Sequence, residues 1–349
     1  MKKSIVFLIL FTFLFTFIIT GFAQVENDET PENTVTEYQD DTTSAEPQTA
    51  DETPAEAPEE TTDGAEDEYI PKTKLPTSAG IQALRSEFEF YQGPTVYGVR
   101  SNDYALFNPV GENDGNKYPL VIYLHGAFHG WFANTQIDDS DFPYWASEEL
   151  QSRFTAGGAF IMMPRSVGAF TFWDGGQIAS VKAAVDYVVS QFKDNIDTSK
   201  IVIMGSSDGG AMVRKMIIAY PDYFCGALTL CQMGFYTAAE AKITSKVPVW
   251  LIANKRDFFV LYPIFQVPMW NTVKSNTKVP GKCRFTSLDY LYYPDGSKPR
   301  NTHNLARVAS YDLQMIDGSD YPYCHTVDGN GHKVDIHAGN GIIAWINTL

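Results

Sequence analysis

The sequence predicts an α/β domain, a mostly parallel central sheet flanked by helices. Three observations predict it. Short, continuously apolar runs recur between Leu120 and Ala253, helix-like segments lie between them, and Gly- or Pro-containing turns separate the two. A run that is apolar without alternation suits a strand covered on both faces, as parallel strands are. Strands that alternate with helices need crossover connections, and these lay helices on both sides of one sheet.

The elements follow in order. Thr95 to Pro109 has period-two stretches and predicts an antiparallel lead-in at one edge. Tyr118-Pro119 leads into the first buried strand, Leu120 to Leu124. Ala159–Pro164, Lys200–Met204, Gly226–Leu230 and Val247–Ala253 are the next four, and Phe285 to Tyr293 predicts a sixth. Helices are expected over Ser147–Phe154, Gln177–Lys193, Gly210–Tyr220 and Ala238–Ser245, with a last one at Gly341–Ile346. In the second of these, Ile178, Val181, Ala184, Val185, Val188 and Val189 recur at helical spacing, a one-sided apolar stripe. Residues 79–349 are expected to be one domain with no internal repeat, large enough to bury roughly three quarters of its unfolded surface.

The first 78 residues read differently. Lys2-Lys3, the apolar run Ile5 to Ile19 and the small residues around Gly21-Phe22-Ala23 predict a signal segment over 1–23, with Gln24 as the mature start. The alternative is an uncleaved anchor, because Ser4 to Ala23 is about one membrane span in length. A membrane partner is expected only in that case. No Cys follows the apolar run, which argues against a lipid anchor there. Residues 24–78 predict a disordered acidic linker, too poor in apolar groups to offset its ordering entropy.

Charge excludes one function class. The formal net charge of −16 is concentrated: Gln24 to Tyr69 holds 17 of the 42 acidic residues and no Lys or Arg, so the body beyond is close to neutral. A near-neutral body offers no basic surface for phosphates, so no nucleic-acid partner is expected. Hydrophobic content of 44% and aromatic content of 14% exclude a wholly disordered chain. Cys225, Cys231, Cys283 and Cys324 allow three disulfide pairings, or none, and no CxxC or paired Cys/His spacing points to zinc.

The strongest chemical signal is Gly205-Ser206-Ser207-Asp208-Gly209-Gly210, directly after one predicted strand and before a predicted helix. This is the G-x-S-x-G nucleophile elbow in the strand–turn–helix context that it needs. A sharp turn there forces Ser207 into strained backbone angles and lifts its hydroxyl to a helix N-terminus. A serine needs a base, usually an imidazole oriented by a carboxylate, and on this architecture the chain order is Ser, Asp/Glu, His. Asp257, just past the strand Val247–Ala253, is the expected carboxylate. Among the histidines after it, His332 is the expected base, since Asp328-Gly329-Asn330-Gly331-His332 is a turn ahead of the closing helix; His303, His325 and His337 are the alternatives. The oxyanion donors are expected to be backbone N–H groups: Asp208, directly after the nucleophile, and Ala127 or Phe128 in the loop His125-Gly126-Ala127-Phe128. Trp131, Trp145, Phe170, Phe172 and Trp173 lie in loops after central strands, where ligands bind; Trp131 and Trp173 are the expected substrate contacts.

Leu124-His125-Gly126, Gly205 to Met212, Asp257 and Gly331-His332 together resemble the α/β-hydrolase superfamily, over about Pro94 to Leu349. The nearest likeness is to secreted feruloyl-esterase and polyhydroxybutyrate-depolymerase-like serine esterases, with prolyl-oligopeptidase-type peptidases close by. Ile196-Asp197-Thr198-Ser199-Lys200-Ile201 also looks like that branch. The resemblance implies ester hydrolysis through an acyl-serine, on a small-molecule or polymer-borne ester such as a plant cell-wall or polyester-type substrate, with no metal or organic cofactor. Two departures stand out. Ala127 and Phe128 replace further small residues after His125-Gly126, and about forty residues separate the last strand-like run from His332, enough for a cap or hairpin over the site. The competing readings are a serine peptidase and a catalytically inactive surface binding protein; peptide substrates and active-site probe labelling separate them from an exported esterase.

Overall fold

The computed structural model describes residues 76–349 except 97, 112–114, 131–135, 139–140, 168–171, 292–302, 304, 315–322 and 337–339. The expected signal segment and the linker up to residue 75 lie outside the described residues. No described helix is long and apolar enough to cross a membrane.

Eleven strands are present among the described residues: β1 (Glu89–Tyr91), β2 (Thr95–Val96), β3 (Val99–Arg100), β4 (Tyr104–Phe107), β5 (Tyr118–Leu124), β6 (Phe160–Pro164), β7 (Ile196–Ser206), β8 (Gly226–Leu230), β9 (Val249–Asn254), β10 (Arg284–Leu288) and β11 (Cys324–Asp328). Nine of them form one sheet in the order β1-β4-β6-β5-β7-β8-β9-β10-β11, and β2 and β3 pair as a separate hairpin. The six strands from β6 to β10 in that order are mutually parallel, β4 and β11 run antiparallel to them, and β1 pairs antiparallel with β4 at the edge. Each of the six expected buried strands forms. The last ends at Leu288, short of the expected Tyr293, and is followed by an edge strand, β11, that apolar runs could not reveal because Cys324-His325-Thr326-Val327-Asp328 is half polar.

Strand periodicity builds two cores. Val121 and Tyr123 of β5, Val202 and Met204 of β7, and Trp250 and Ile252 of β9 face one side; Leu120, Ile122, Leu124, Ile201, Ile203, Val249 and Leu251 face the other. Both faces must therefore be covered. The first side is covered by α1 (Ser78–Leu84), α2 (Glu148–Gln151), α7 (Ala306–Ser310) and α8 (Ile342–Asn347), with Trp145 and Trp345 fully buried there. The second is covered by α3 (Ile178–Gln191), α4 (Asp208–Ala219), α5 (Ala238–Ile243) and α6 (Val267–Asn276). The predicted stripe of α3 is the buried one, through Val181, Ala184, Val185 and Val188. Thr237 starts α5 with a capping box closed by Glu240. The helix α6 escapes a sequence reading because Pro268 stands in its first turn, where proline is tolerated but reads as a break. All four cysteines are free thiols, so the thiol alternative holds over the three pairings.

Candidate active site

The site is assembled at the C-terminal ends of the parallel strands. Strand β7 stops at Ser206 and α4 starts at Asp208, so Ser207 alone makes the turn, at φ 53° and ψ −115°. A non-glycine residue there is strained by about 1–3 kcal/mol. The surroundings hold it: its N–H donates to Leu230 O across 2.7 Å. The flanking glycines are required by close approach. A Cβ on Gly209 would stand 2.1 Å from Leu124 O and 2.5 Å from His125 O, and one on Gly205 would stand 2.7 Å from the Gly209 carbonyl carbon. Gly209→Ala is therefore expected to cost about 3 kcal/mol or more in urea unfolding, since backbone, not a side chain, must yield. An unchanged unfolding midpoint would show that the turn is looser than these contacts require.

Asp257 lies past the end of β9, in a turn closed by its N–H to Asn254 O at 3.1 Å. Its Oδ1 accepts from the N–H groups of Phe259 and Val260, both at 2.9 Å, which leaves Oδ2 for another donor. That donor is His303 Nδ1, 2.6 Å away, and His303 Nε2 lies 2.8 Å from Ser207 Oγ. A carboxylate only accepts, so the Nδ1 position carries the proton and Nε2 is left to accept from the serine. The imidazole is fixed from behind as well. The His303 carbonyl accepts from Leu305 N–H at 2.9 Å and from the Cys231 thiol at 2.8 Å, and Phe259 packs on the ring with centroids 5.5 Å apart. Burial works against an imidazolium here, but neighbouring Cys231 and the Asp257 carboxylate outweigh it, and His303 is held above the ordinary histidine value of 6.5. A serine hydroxyl, an imidazole and a buried carboxylate in this line can pass the serine proton to the ring as an electrophile is attacked.

The expected base is corrected by this geometry. His332 is brought nowhere near Ser207: its side chain is 77% exposed, and its Nδ1 lies 3.4 Å from Asp328 Oδ2. The reason is strand direction. Leu288 pairs with Asn254 at the site's edge of the sheet, but β11 runs back, so Asp328 pairs with Arg284. The turn carrying His332 thus lies about 13 Å down β10 from the site's edge, at four residues of strand rise. The long connection noted in the sequence holds the imidazole that reaches Ser207. His303 sits on a turn between β10 and α7, and its one sequence signal is its place after Asp257 and shortly before the mostly apolar stretch Leu305–Ala309. His325 belongs to a surface cluster, 2.9 Å from Asp289, which also pairs with Lys255. His337 lies outside the described residues.

The loop after β5 borders Ser207. A Cβ on Gly126 would lie 3.8 Å from Ser207 Cβ, and the next turn, Ala127-Phe128, bends back with Phe128 at φ 68°. His125 is fully buried; its Nε2 accepts from Ser166 N–H at 3.1 Å while Nδ1 faces Gly126 O at 2.7 Å, a neutral ring braced between two loops. The Asp208 N–H belongs to the first turn of α4, where donors have no intrahelical acceptor. Its side chain points elsewhere. Asp208 Oδ2 accepts from Trp173 N–H at 2.5 Å, and burial pushes this carboxyl up to about 6.

Trp173 is the second correction. It is 2% exposed, and its indole N–H donates to His125 O at 2.9 Å, so it ties the loop after β6 to the loop after β5 and presents no face to a ligand. Trp145 is likewise a core residue, stacked on Phe142 and bonded to Ala309 O. Phe172 remains in contact with the half-exposed Phe128 at 5.4 Å between centroids. Trp131 and Phe170 lie outside the described residues.

Comparison with known proteins agrees with this architecture. Residues 107–219 match the family model described as BD-FAE, and residues 172–270 match that of the prolyl oligopeptidase family. Probable acetylxylan esterase A of Neosartorya fischeri is 33% identical over 289 residues, covering 73% of each chain. The chain belongs to this esterase family, within the α/β-hydrolases. Feruloyl esterase B of Thermothelomyces thermophilus is 24% identical over 165 residues, 43% of this chain and 52% of that protein, so the match spans about half the length of that relative. Poly(3-hydroxyalkanoate) depolymerase C of Paucimonas lemoignei is 22% identical over 265 residues, 70% of this chain and 62% of the other. A solved structure described as a thermostable esterase shares the fold, with a TM-score of 0.53 at 21% identity over 67% of this chain and 62% of that one.

Proposed function

We propose that the protein is an exported serine esterase that hydrolyses carboxylic esters through an acyl-serine, with Ser207, His303 and Asp257 as its triad. The observation that carries this reading is the pair of contacts from one imidazole, 2.8 Å to Ser207 Oγ and 2.6 Å to Asp257 Oδ2. Ser207 Oγ attacks the ester carbonyl while its proton passes to His303 Nε2. The Asp257 carboxylate stabilises the imidazolium that forms, and the N–H of Asp208, with one from the Ala127-Phe128 turn, meets the oxyanion. The tetrahedral intermediate collapses, the alcohol leaves with the His303 proton, and water repeats the sequence on the acyl-enzyme.

The relatives named for acetylxylan and feruloyl esters support an acyl group carried on plant cell-wall polysaccharide as the substrate class. Phe128, 47% exposed on the oxyanion-side turn, and Phe258, 51% exposed beside Asp257, support an apolar or aromatic acyl group. A fluorophosphonate probe is expected to label Ser207, and feruloyl and acetyl sugar esters to be turned over in preference to polyester films and short peptides. A labelled protein that cleaves only peptides would favour the peptidase reading, for which the match over 172–270 speaks. No labelling at Ser207 would reject the triad and leave an inactive binding protein.

A further inference from the structure

Of the buried thiols that the mechanism leaves unused, Cys231 is the one that stands against the triad. Cys231 follows the end of β8, is 1% exposed, and adopts φ 43°, a left-handed conformation rare for a side chain of this kind. Its N–H is tied to Ile252 O at 2.8 Å, which fixes the turn and aims the thiol at His303. One ligand atom each from Cys231, Asp257 and His303 lies within 4.8 Å of the other two. The three come from three different segments, the ends of β8 and β9 and the connection between β10 and α7, so no sequence spacing reveals them together.

We propose that Cys231, Asp257 and His303 form an inhibitory site for a thiophilic divalent cation of the zinc type. A thiolate, an imidazole nitrogen and a carboxylate oxygen are the donors that such an ion prefers, and three protein ligands leave a fourth position for water. The nitrogen is Nδ1, because it faces Asp257 whereas Nε2 faces Ser207. A tetrahedral zinc would hold oxygen and nitrogen ligands roughly 3.3 Å apart, so the ion widens the present 2.6 Å contact by about 0.7 Å. The imidazole keeps 15% of its surface exposed, a route by which a hydrated ion can reach it.

Occupancy has a defined chemical consequence. The thiol of Cys231 loses its proton to solvent, the Nδ1 lone pair goes to the metal, and the ring proton moves from Nδ1 to Nε2. Charge and protons balance: one dication in, one proton out. The Nε2–H then points at Ser207 Oγ as a donor and can no longer take its proton. Inhibition follows from the changed tautomer without any obstruction of the serine.

The inhibitory effect rests on the esterase reading, but the binding does not, and the test separates them. Cobalt(II) is titrated into the Ser207→Ala protein, which needs no turnover, and the thiolate-to-cobalt charge-transfer absorption is followed. The band is expected, and is expected to vanish in Ser207→Ala proteins that also carry Cys231→Ser or Cys231→Ala. Single Ser replacements of Cys225, Cys283 or Cys324 should leave it. In parallel, zinc inhibition of ester hydrolysis, relative to each protein's own chelator-treated rate, is expected to need at least about tenfold more zinc in Cys231→Ser than in the parent. No band at all, a band indifferent to Cys231, or equal inhibition midpoints would overturn the site. A Cys231-dependent band in a protein whose parent hydrolyses no ester would keep the metal site and reject the esterase.

Discussion

Replacing His303 by alanine is expected to lower kcat on an aryl ester by roughly a million-fold, the loss that removal of a triad histidine brings in serine hydrolases. His332→Ala should stay within about twofold of the parent, because an exposed side chain off the site costs within ±0.5 kcal/mol or so. The contrast is the informative part. Both histidines follow Asp257 in the chain, and only His303 reaches Ser207, at 2.8 Å. Steady-state rates on p-nitrophenyl acetate, with circular dichroism to check that each variant is folded, decide the matter. A dead His332→Ala beside an active His303→Ala would overturn the triad and the strand direction that excludes His332 from it.

The second large effect is at the carboxylate. Asp257→Asn is expected to lower kcat about ten-thousand-fold, although the amide fills nearly the same space. The side-chain amide offers an N–H toward Nδ1 as readily as a carbonyl, so the ring loses its fixed tautomer and Nε2 can no longer be relied on to accept the serine proton. The pH profile should move as well. In the parent, His303 is raised above 6.5, with the Asp257 carboxylate among the causes, so kcat/KM should keep climbing with pH up to that raised value and level off only above it. Removing the carboxylate's charge lowers the pKa, and the acid limb of the residual activity should shift to lower pH. Stability runs the other way. A histidine that binds its proton more tightly folded than unfolded stabilises the fold below the unfolded value, and that contribution is lost as pH rises through the folded one. An acid limb that stays in place in Asp257→Asn would show that the carboxylate does not hold the His303 proton.

These two variants mark where the sequence stops being sufficient. The elbow is legible because its requirements are local: glycines at 205 and 209, a strand before, a helix after. The structure then shows why, with carbonyl oxygens of Leu124 and His125 where side chains would be. Asp257 is legible because a carboxylate just beyond a buried strand has few other places to point. The base is different. What excludes His332 is the direction of β11, and a half-polar edge strand of five residues carries no signal strong enough to announce that the chain turns back there. Trp173 fails for a related reason. An aromatic residue in a loop after a central strand can face a ligand or lock two loops together, and its hydrogen bonds to Asp208 and His125 settle it as a lock.

By itself, then, the chain determined a parallel sheet covered on both faces, the serine at its sharpest turn and the carboxylate two strands further on, because apolar periodicity and glycine placement act over a few residues. Tertiary structure alone decided which imidazole meets that serine, and which thiol stands behind it. Cys231 and Asp257 arrive just past the ends of β8 and β9, whose parallel register brings them to one edge, and His303 meets them from the connection between β10 and α7.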